Sequence, residues 1–377
     1  MNARAIGPIG LIVASAGCLP SQTEIDPASV VDVQVRPASG QPLFCPGDPF
    51  QVEVIAKLKD GSSCSNVDAK RGCMGESHAV IKRSQVGIDA SPGDWVDADD
   101  FVFRAPENPL TSARTGLALQ AWIESDATGR SNVKGDRLLS PVYECQMQRE
   151  RVFVAAQPGT QGENGAAGPD IRVSVTSLST PWYPNAALVR VAVGNTPVYF
   201  ISPSADKPIR IVTRGQDGAI GPAGAPGQEG APGAPAEAEC APGADGQPGT
   251  DGGPGGKGGD GGPGGKIKLE IDDAKMEELR ARVVIESVGG APGAPGPGGA
   301  AGPGGKGGAG GPAGQACMGA DLTGKQGALG NPGAAGTPGQ AGAPGPAAEI
   351  GPLARAIMFA GELALIQEIE AAPRAAK

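Results

Sequence analysis

Histidine is nearly absent, since His78 is the only one in 377 residues. No Cys-x-x-Cys pair occurs either, so zinc sites and thioredoxin-type redox chemistry have almost nothing to work with. His78 lies beside a polar loop without a partner pattern and reads as a surface residue. Aromatic residues make up 3% of the chain, and 12 of the 13 lie before Ile201. The last third therefore cannot build an ordinary packed core. Clusters of Lys and Arg are missing and the formal net charge is -9. That excludes a nucleic-acid surface, whose phosphates need concentrated positive charge. There is no P-loop and no Gly-x-Ser-x-Gly elbow, and the glycine strings that imitate GxGxxG never follow a strand to open a helix. No acid/base constellation emerges, so neither enzymatic activity nor a cofactor is expected.

What is present begins at the N-terminus. After the single positive charge of Arg4, residues Ala5 to Gly17 form an uncharged, largely apolar run of 13 residues. That is the length of a signal-peptide core and too short to span a bilayer. The stretch Ala14-Ser15-Ala16-Gly17-Cys18 resembles a bacterial lipobox, with Ser15 where Leu is usual. The resemblance implies cleavage before Cys18 and lipidation of its thiol. Leu19 after the cysteine implies, by that family's sorting habit, the outer membrane or cell surface. Residues 1-17 thus read as a lipoprotein signal peptide and 18-27 as a tether, with the membrane as partner through the lipid anchor.

Setting Cys18 aside leaves six cysteines: Cys45, Cys64, Cys73, Cys145, Cys240 and Cys317. An even number in an exported chain reads as a disulfide set. Among the first four, Cys45 with Cys145 and Cys64 with Cys73 is one of three possible connectivities.

Short alternating runs fill residues 28-148: Val30 to Val35, Pro49 to Leu58, Ala79 to Ile81, Phe101 to Phe103, Gly116 to Ile123 and Leu138 to Tyr143. Punctuated by Gly, Pro, Asp and Ser, they predict an all-β sandwich. By pattern this part resembles bacterial immunoglobulin-like domains. Asp97, Asp99 and Asp100 form a small acidic cluster, a weak calcium candidate set against a solvated loop.

From Arg151 the grammar changes. A strand, Val152 to Val154, leads to four glycines three apart between Gly159 and Gly168, then to the strand Ile171 to Val175. Two hairpin runs and the strand Ile209 to Thr213 follow. Glycine then recurs at every third position for seven triplets from Gly215, breaks at Cys240, and resumes for eight triplets from Gly243 to Lys266. The strand Ile267 to Ile271 follows without a linker. After a charged connector, Asp272 to Ala281, and the strand Arg282 to Val288, the cycle repeats with nine triplets to Ala316, Cys317, and eight more to Ala347. This is an internal duplication of strand, glycine leg, cysteine tip and glycine leg. It predicts a second β-domain from 149-213, 267-288 and 348-377, carrying glycine-rich hairpins over 214-266 and 289-347. Leu353 to Ile369 predicts an amphipathic helix, with a pair of short strands as the alternative.

The triplets resemble those of bacterial collagen-like proteins, which would imply a homotrimer with parallel chains. Yet proline prefers the third triplet position, and the four legs hold only nine charged residues, fewer ion pairs than unhydroxylated collagens use. The legs also resemble the polyglycine II bundles of a phage tail-tip adhesin and of the snow flea antifreeze protein. A polyproline II helix has no internal hydrogen bonds, so bare faces let neighbours bond sideways. Gly252 to Gly265 and much of Gly296 to Gly311 carry glycine at two of three positions, which predicts central legs in a monomeric bundle. A Cys240 to Cys317 bridge would join the tips; in a collagen both would bridge chains.

The expected fold class is mainly β, an immunoglobulin-like sandwich followed by a second β-domain with polyproline/polyglycine II hairpins, or alternatively a collagen triple helix. The expected role is a non-enzymatic spacer or adhesin displaying loops Ala236 to Ala244 and Gln315 to Gly324 to a surface ligand. The competing class is a carbohydrate- or ice-binding module, in which Trp182, Tyr183 and Tyr199 stack on a ligand.

Overall fold

The computed structural model describes residues 23-67, 73-74, 79-125, 129-147, 151-154 and 160-374. Cys18 and His78 lie outside the described residues. The chain is mainly β and divides into two units, 1-107 with 115-141, and 108-114 with 142-377.

In the first unit the strands are β1 (Thr23–Glu24), β2 (Val30–Pro37), β3 (Leu43–Phe44), β4 (Pro49–Leu58), β5 (Ser63–Ser65), β6 (Ala79–Val80), β7 (Val86–Ser91), β8 (Asp94–Asp97), β9 (Val102–Arg104), β10 (Leu117–Ser125) and β11 (Gly129–Pro141). They form a sheet ordered β3-β11-β10-β7 and another ordered β2-β4-β9-β8, with β5 on β4 and a small β1-β6 pair. Alternation puts Val33, Val35, Val52, Val54 and Ala56 of one sheet, and Leu117, Leu119, Ala121 and Ile123 of the other, into a single core. Cys64 and Cys73 are bridged, and Cys45 is also in a disulfide.

The second unit takes in the short helix α1 (Leu110–Ala113) and α2 (Glu144–Met147) as well as β12 (Arg151–Val154), β13 (Ile171–Leu178), β14 (Ala186–Val193), β15 (Thr196–Ser202), β16 (Ile209–Arg214), β17 (Ile267–Asp272), α3 (Met276–Arg280), β18 (Val283–Val288), β19 (Glu349–Leu353), α4 (Arg355–Met358) and α5 (Leu363–Ala371). Helix α1 lies inside the sequence range read as the sandwich, yet Leu110 and Ala113 are buried beside Tyr143, Phe359 and Ile366 in the second unit's core.

One sheet runs β12-β16-β18, all parallel, and the other β15-β14-β13-β17-β19, with β13, β17 and β19 parallel. Between the sheets lie Ile171, Val173, Val189, Ile211, Ile267, Leu269 and Val283. The other face of the five-stranded sheet is covered at one end by the C-terminal segment, through Met358, Phe359, Ile366 and Ile369. That segment is one short strand and two helices. The charged connector is likewise a turn of 3-10 helix followed by α3.

The connectivity is a threefold repeat, one more copy than the glycine tracts predict. Each of β12, β16 and β18 leaves the smaller sheet, and each of β13, β17 and β19 enters the larger one after an excursion. The last two excursions are glycine hairpins; the first includes the four glycines at 159-168.

Candidate functional site: the glycine bundle and its tip

Five extended legs carry the glycines: L1 (160-170), L2 (215-239), L3 (241-266), L4 (289-314) and L5 (318-348). Their backbone bonds run sideways, as a polyproline II chain requires. Gly218 N–H donates to Ala291 O, Gly221 to Ala294 O and Gly224 to Pro297 O, each at 2.9 Å, so L2 and L4 are parallel. Gly252 N–H donates to Asn331 O and Gly255 to Ala334 O, so L3 and L5 are parallel as well. L1 joins that direction, through Gly165 N–H to Asp260 O and Gly168 N–H to Pro263 O. L2 with L3, L3 with L4, and L4 with L5 are antiparallel, as in Gly253 N–H to Ala225 O, Gly299 N–H to Gly253 O and Gly333 N–H to Gly299 O.

The outgoing legs L2 and L4 thus continue the three-stranded sheet, and the returning legs L1, L3 and L5 continue the five-stranded one. Among the described residues the legs pair within one chain, in both directions, not as three parallel strands about an axis.

Register passes from sheet to bundle without a break. In the β16-β18 ladder Arg214 faces Val288, 74 residues on; at the same offset Asp217 Oδ1 accepts the N–H of Ala291 in the legs. β13 and β17 are paired at an offset of 96, Ile171 to Ile267. That offset recurs in L1 and L3, where Asn164 Oδ1 accepts the N–H of Asp260. At the junction the apolar layer gives way to hydroxyls: Thr213 Oγ1 donates to Pro169 O and Ser287 Oγ to Gly265 O, both at 2.6 Å.

The glycine doublets of L3 follow from this packing. A Cβ on Gly259, Gly262 or Gly265 would fall 1.7, 1.9 or 2.1 Å from a carbonyl oxygen of L1, closer than any real contact. Nearer the tip the equivalent positions hold Ala244, Gln247 and Thr250, with room for side chains, while Gly253 and Gly256 face L2, where a Cβ would fall 3.1 Å from Ala225 N and 2.5 Å from Pro222 Cγ. In L4 the second glycines Gly298, Gly304 and Gly307 meet L5 in the same way. Of the two doublet-rich legs, L3 is the central one, touching L1, L2, L4 and L5, whereas L4 touches three legs, as L2 also does.

The contact of L1 with L2 has a backbone limit. Its ladder on L2 uses Ala219 N–H to Glu163 O and Gly162 N–H to Ile220 O. The next donor would be residue 222, and Pro222 has no N–H. Further out, Thr250 Oγ1 accepts the N–H of Gln228 at 2.7 Å, closing another open donor.

Sequence reading missed a set of acceptors along the parallel legs. Asp217, Asp245, Asp251 and Asp260, each just before a glycine, accept the N–H of Ala291, Lys325, Asn331 and Gln340 at 2.7 to 2.8 Å. Asp170 does the same for Lys266 at 2.8 Å. Side-chain carboxylates thereby satisfy amides that glycine carbonyls do not reach. The Asx-Gly pairs were visible in the sequence, but their partners lie 74 to 96 residues away.

At the far end Cys240 and Cys317 are bonded to each other, with Cα atoms 5.6 Å apart. Cys240 sits at φ 58, a left-handed conformation for a residue with a side chain. Around the bridge Glu237, Glu239 and Asp321 are exposed, and Met318 is 78% exposed. The Thr323 N–H holds the Asp321 carboxyl below the usual aspartate range. The tip is therefore a small acidic surface with one apolar residue.

The other predicted sites do not converge. Trp182, Tyr183 and Tyr199 form no exposed stacking plane. Tyr183 packs on Tyr143 at 5.2 Å and donates its hydroxyl to Glu144 at 3.1 Å, while Tyr199 donates to Glu362. Burial, then the neighbouring carboxylates, push both phenols up to about 12. Asp97 Oδ1 accepts the N–H groups of Asp99 and Asp100 at 2.8 and 3.1 Å, which makes the acidic cluster a turn. No group of three or more metal-ligating side chains occurs among the described residues.

The chain was compared with protein-family models, curated proteins and solved structures, and none matched.

Proposed function

We propose that this protein is a non-enzymatic lipoprotein of the cell envelope, anchored through Cys18, whose glycine bundle is a rigid spacer presenting the Cys240-Cys317 tip to a surface ligand. The first unit serves as an immunoglobulin-like module next to the anchor. One observation carries the spacer reading: the 74- and 96-residue offsets of the sheet ladders persist into the legs. A tract that keeps the register of its parent sheet is held by it, not tethered like a tail. At ~3.1 Å per residue a leg such as L3 reaches about 80 Å. Disulfide-bonded cysteines suit an oxidising, extracytoplasmic compartment. No described helix is long and apolar enough to cross a membrane.

Two measurements test this. Removing two triplets from each of L2 to L5 while keeping the tips should shorten the spin-label distance from tip to sheet by about 19 Å, at ~3.1 Å per residue; an unchanged or broad distribution sinks the spacer. Replacing 236-244 and 315-324 by tight turns should abolish attachment of cells or beads displaying the protein, and undiminished attachment sinks the adhesive role. Light scattering should give a monomer, and a trimer would overturn the intramolecular reading.

A further inference from the structure

Where the five-stranded sheet passes into the returning legs, its outer face is open, and a groove of about 760 Å³ lies across it. The C-terminal helices cover only the far end of this face. Strand pairing sets the floor: Pro197, Ala192, Arg172, Lys268 and Glu349 stand side by side on β15, β14, β13, β17 and β19. Lys266 and Asp170 close the end nearest the legs, Asn195 lies in the turn at the side, and Arg190 forms the wall towards the helices.

In a chain of formal net charge -9, four cations are gathered here. Two of them share one anion. Glu270, with 7% of its side chain exposed, lies beneath and takes Lys268 at 2.9 Å and Arg172 at 3.9 Å through the same oxygen. Its other oxygen accepts from Ser174 Oγ at 3.3 Å. The Lys268 and Arg172 side chains stay more than half exposed, so Glu270 orients them without covering them. Lys266 is exposed and makes no ion pair among the described residues. Arg190 is tied back to Glu362 at 3.5 Å, and its Nε is buried without a hydrogen-bond partner.

The rim also carries two carboxylates, Glu349 and Asp170. A polyanion would be repelled by them. A ligand with one carboxylate and several hydroxyls would be served by both signs: a guanidinium fork and ammonium groups for the acid, carboxylates and the Asn195 amide for the hydroxyls. The volume falls within the usual range of ligand sites, about 300 to 1,000 Å³, and far exceeds a bare anion. We propose that this groove is a binding site for a sugar acid, a uronate unit of an acidic oligosaccharide, with Arg172, Lys266 and Lys268 holding the carboxylate. The proposal does not depend on the tip or on the spacer role.

The test is calorimetric titration of the full mature chain with the methyl glycosides of galacturonate and glucuronate, each bearing one carboxylate, with their methyl esters, and with inorganic phosphate. At least one acid should bind at low millimolar concentration or better, its ester should not, and binding should weaken as salt rises. Arg172→Gln should cost about tenfold or more in affinity. Because that change leaves Glu270 short of a partner, Lys266→Gln at an exposed position gives a second reading with little risk to folding, again with weaker binding expected. Lys306→Ala, on a leg outside the groove, should leave binding unchanged. No binding of either acid, equal binding of acid and ester, or unaltered affinity in both groove variants would overturn the proposal. Inorganic phosphate displacing the uronate at equal concentration would reassign the groove as a simple anion site.

Discussion

The backbone N–H of Gln340 donates to the Asp260 carboxylate at 2.8 Å across 80 residues of intervening chain. Asp260 passes the relationship on, since its own N–H donates to Asn164 Oδ1, so one row of side-chain acceptors ties three parallel legs.

This row makes the bundle sensitive to acid. Lys257, whose ammonium lies 2.8 Å from the same carboxylate, and then the Gln340 N–H hold the Asp260 carboxyl below its ordinary range. A carboxyl with a depressed folded pKa contributes stability that is fully present above the unfolded value and is lost as pH falls through the folded one. Thermal unfolding midpoints should therefore drop below about pH 4, and Asp260→Asn should drop less over that window. An identical pH slope in the variant would show that the row contributes nothing.

Removing the tip bridge should loosen the bundle from its far end. The cysteines are 77 residues apart, and closing a loop of that length is worth up to about 4.5 kcal/mol in the chain-entropy limit. In Cys240→Ser/Cys317→Ser, hydrogen exchange at Gly233 and Gly308 should accelerate. Val173 and Leu269 in the sheet should keep their protection. Uniform acceleration would mean that sheet and legs open only together.

Two glycines separate close packing from mere composition. A Cβ at Gly259 would lie 1.7 Å from Glu163 O, whereas at Gly361 nothing comes within 4 Å. Gly259→Ala should destabilise by about 3 kcal/mol or more, as overpacking against backbone does, and Gly361→Ala should stay within about 0.5 kcal/mol. Urea titrations of both variants measure the difference.

The C-terminal helices are predicted to be indispensable. Phe359 is fully buried under them, with the Arg190 guanidinium 5.4 Å above its ring. Phe359→Ala should cost about 3 to 5 kcal/mol. A loss under 1 kcal/mol in a chemical-denaturation curve would show that the segment is only loosely docked.

Much of this was legible because the determinants are local. Glycine spacing marks the legs, doublets mark where they pack closely, and alternation in Ile267-Lys268-Leu269-Glu270-Ile271 marks a strand with one face inward. What escaped reading depends on distant partners. The outer face of β17 looks exposed by alternation, yet Glu270 and Asp272 are buried, because Ser174 and Thr176 donate to them from β13. Strands β7 and β8 were missed because Gly87, Pro92 and Gly93 interrupt or flank them. The first repeat was overlooked as a repeat because its run holds only four glycines three apart. Helix α1 was absorbed into the sandwich because four residues carry too little periodicity to announce a different core.

The layered excursions also constrain how the protein can fold. β16 and β18 are adjacent in space but separated by L2, the tip and L3, and β17 reaches β13 only after the same detour. Neither sheet of the second unit can close until the chain has travelled out and back, so each of its parallel pairings brings together residues 60 to 96 apart. High contact order of this kind slows folding. Synthesis would deliver β16 long before its neighbour β18, leaving an open parallel edge exposed to other chains. A protein built this way gains its reach at the expense of speed, and its biogenesis, more than its finished state, is where a chaperone would be needed.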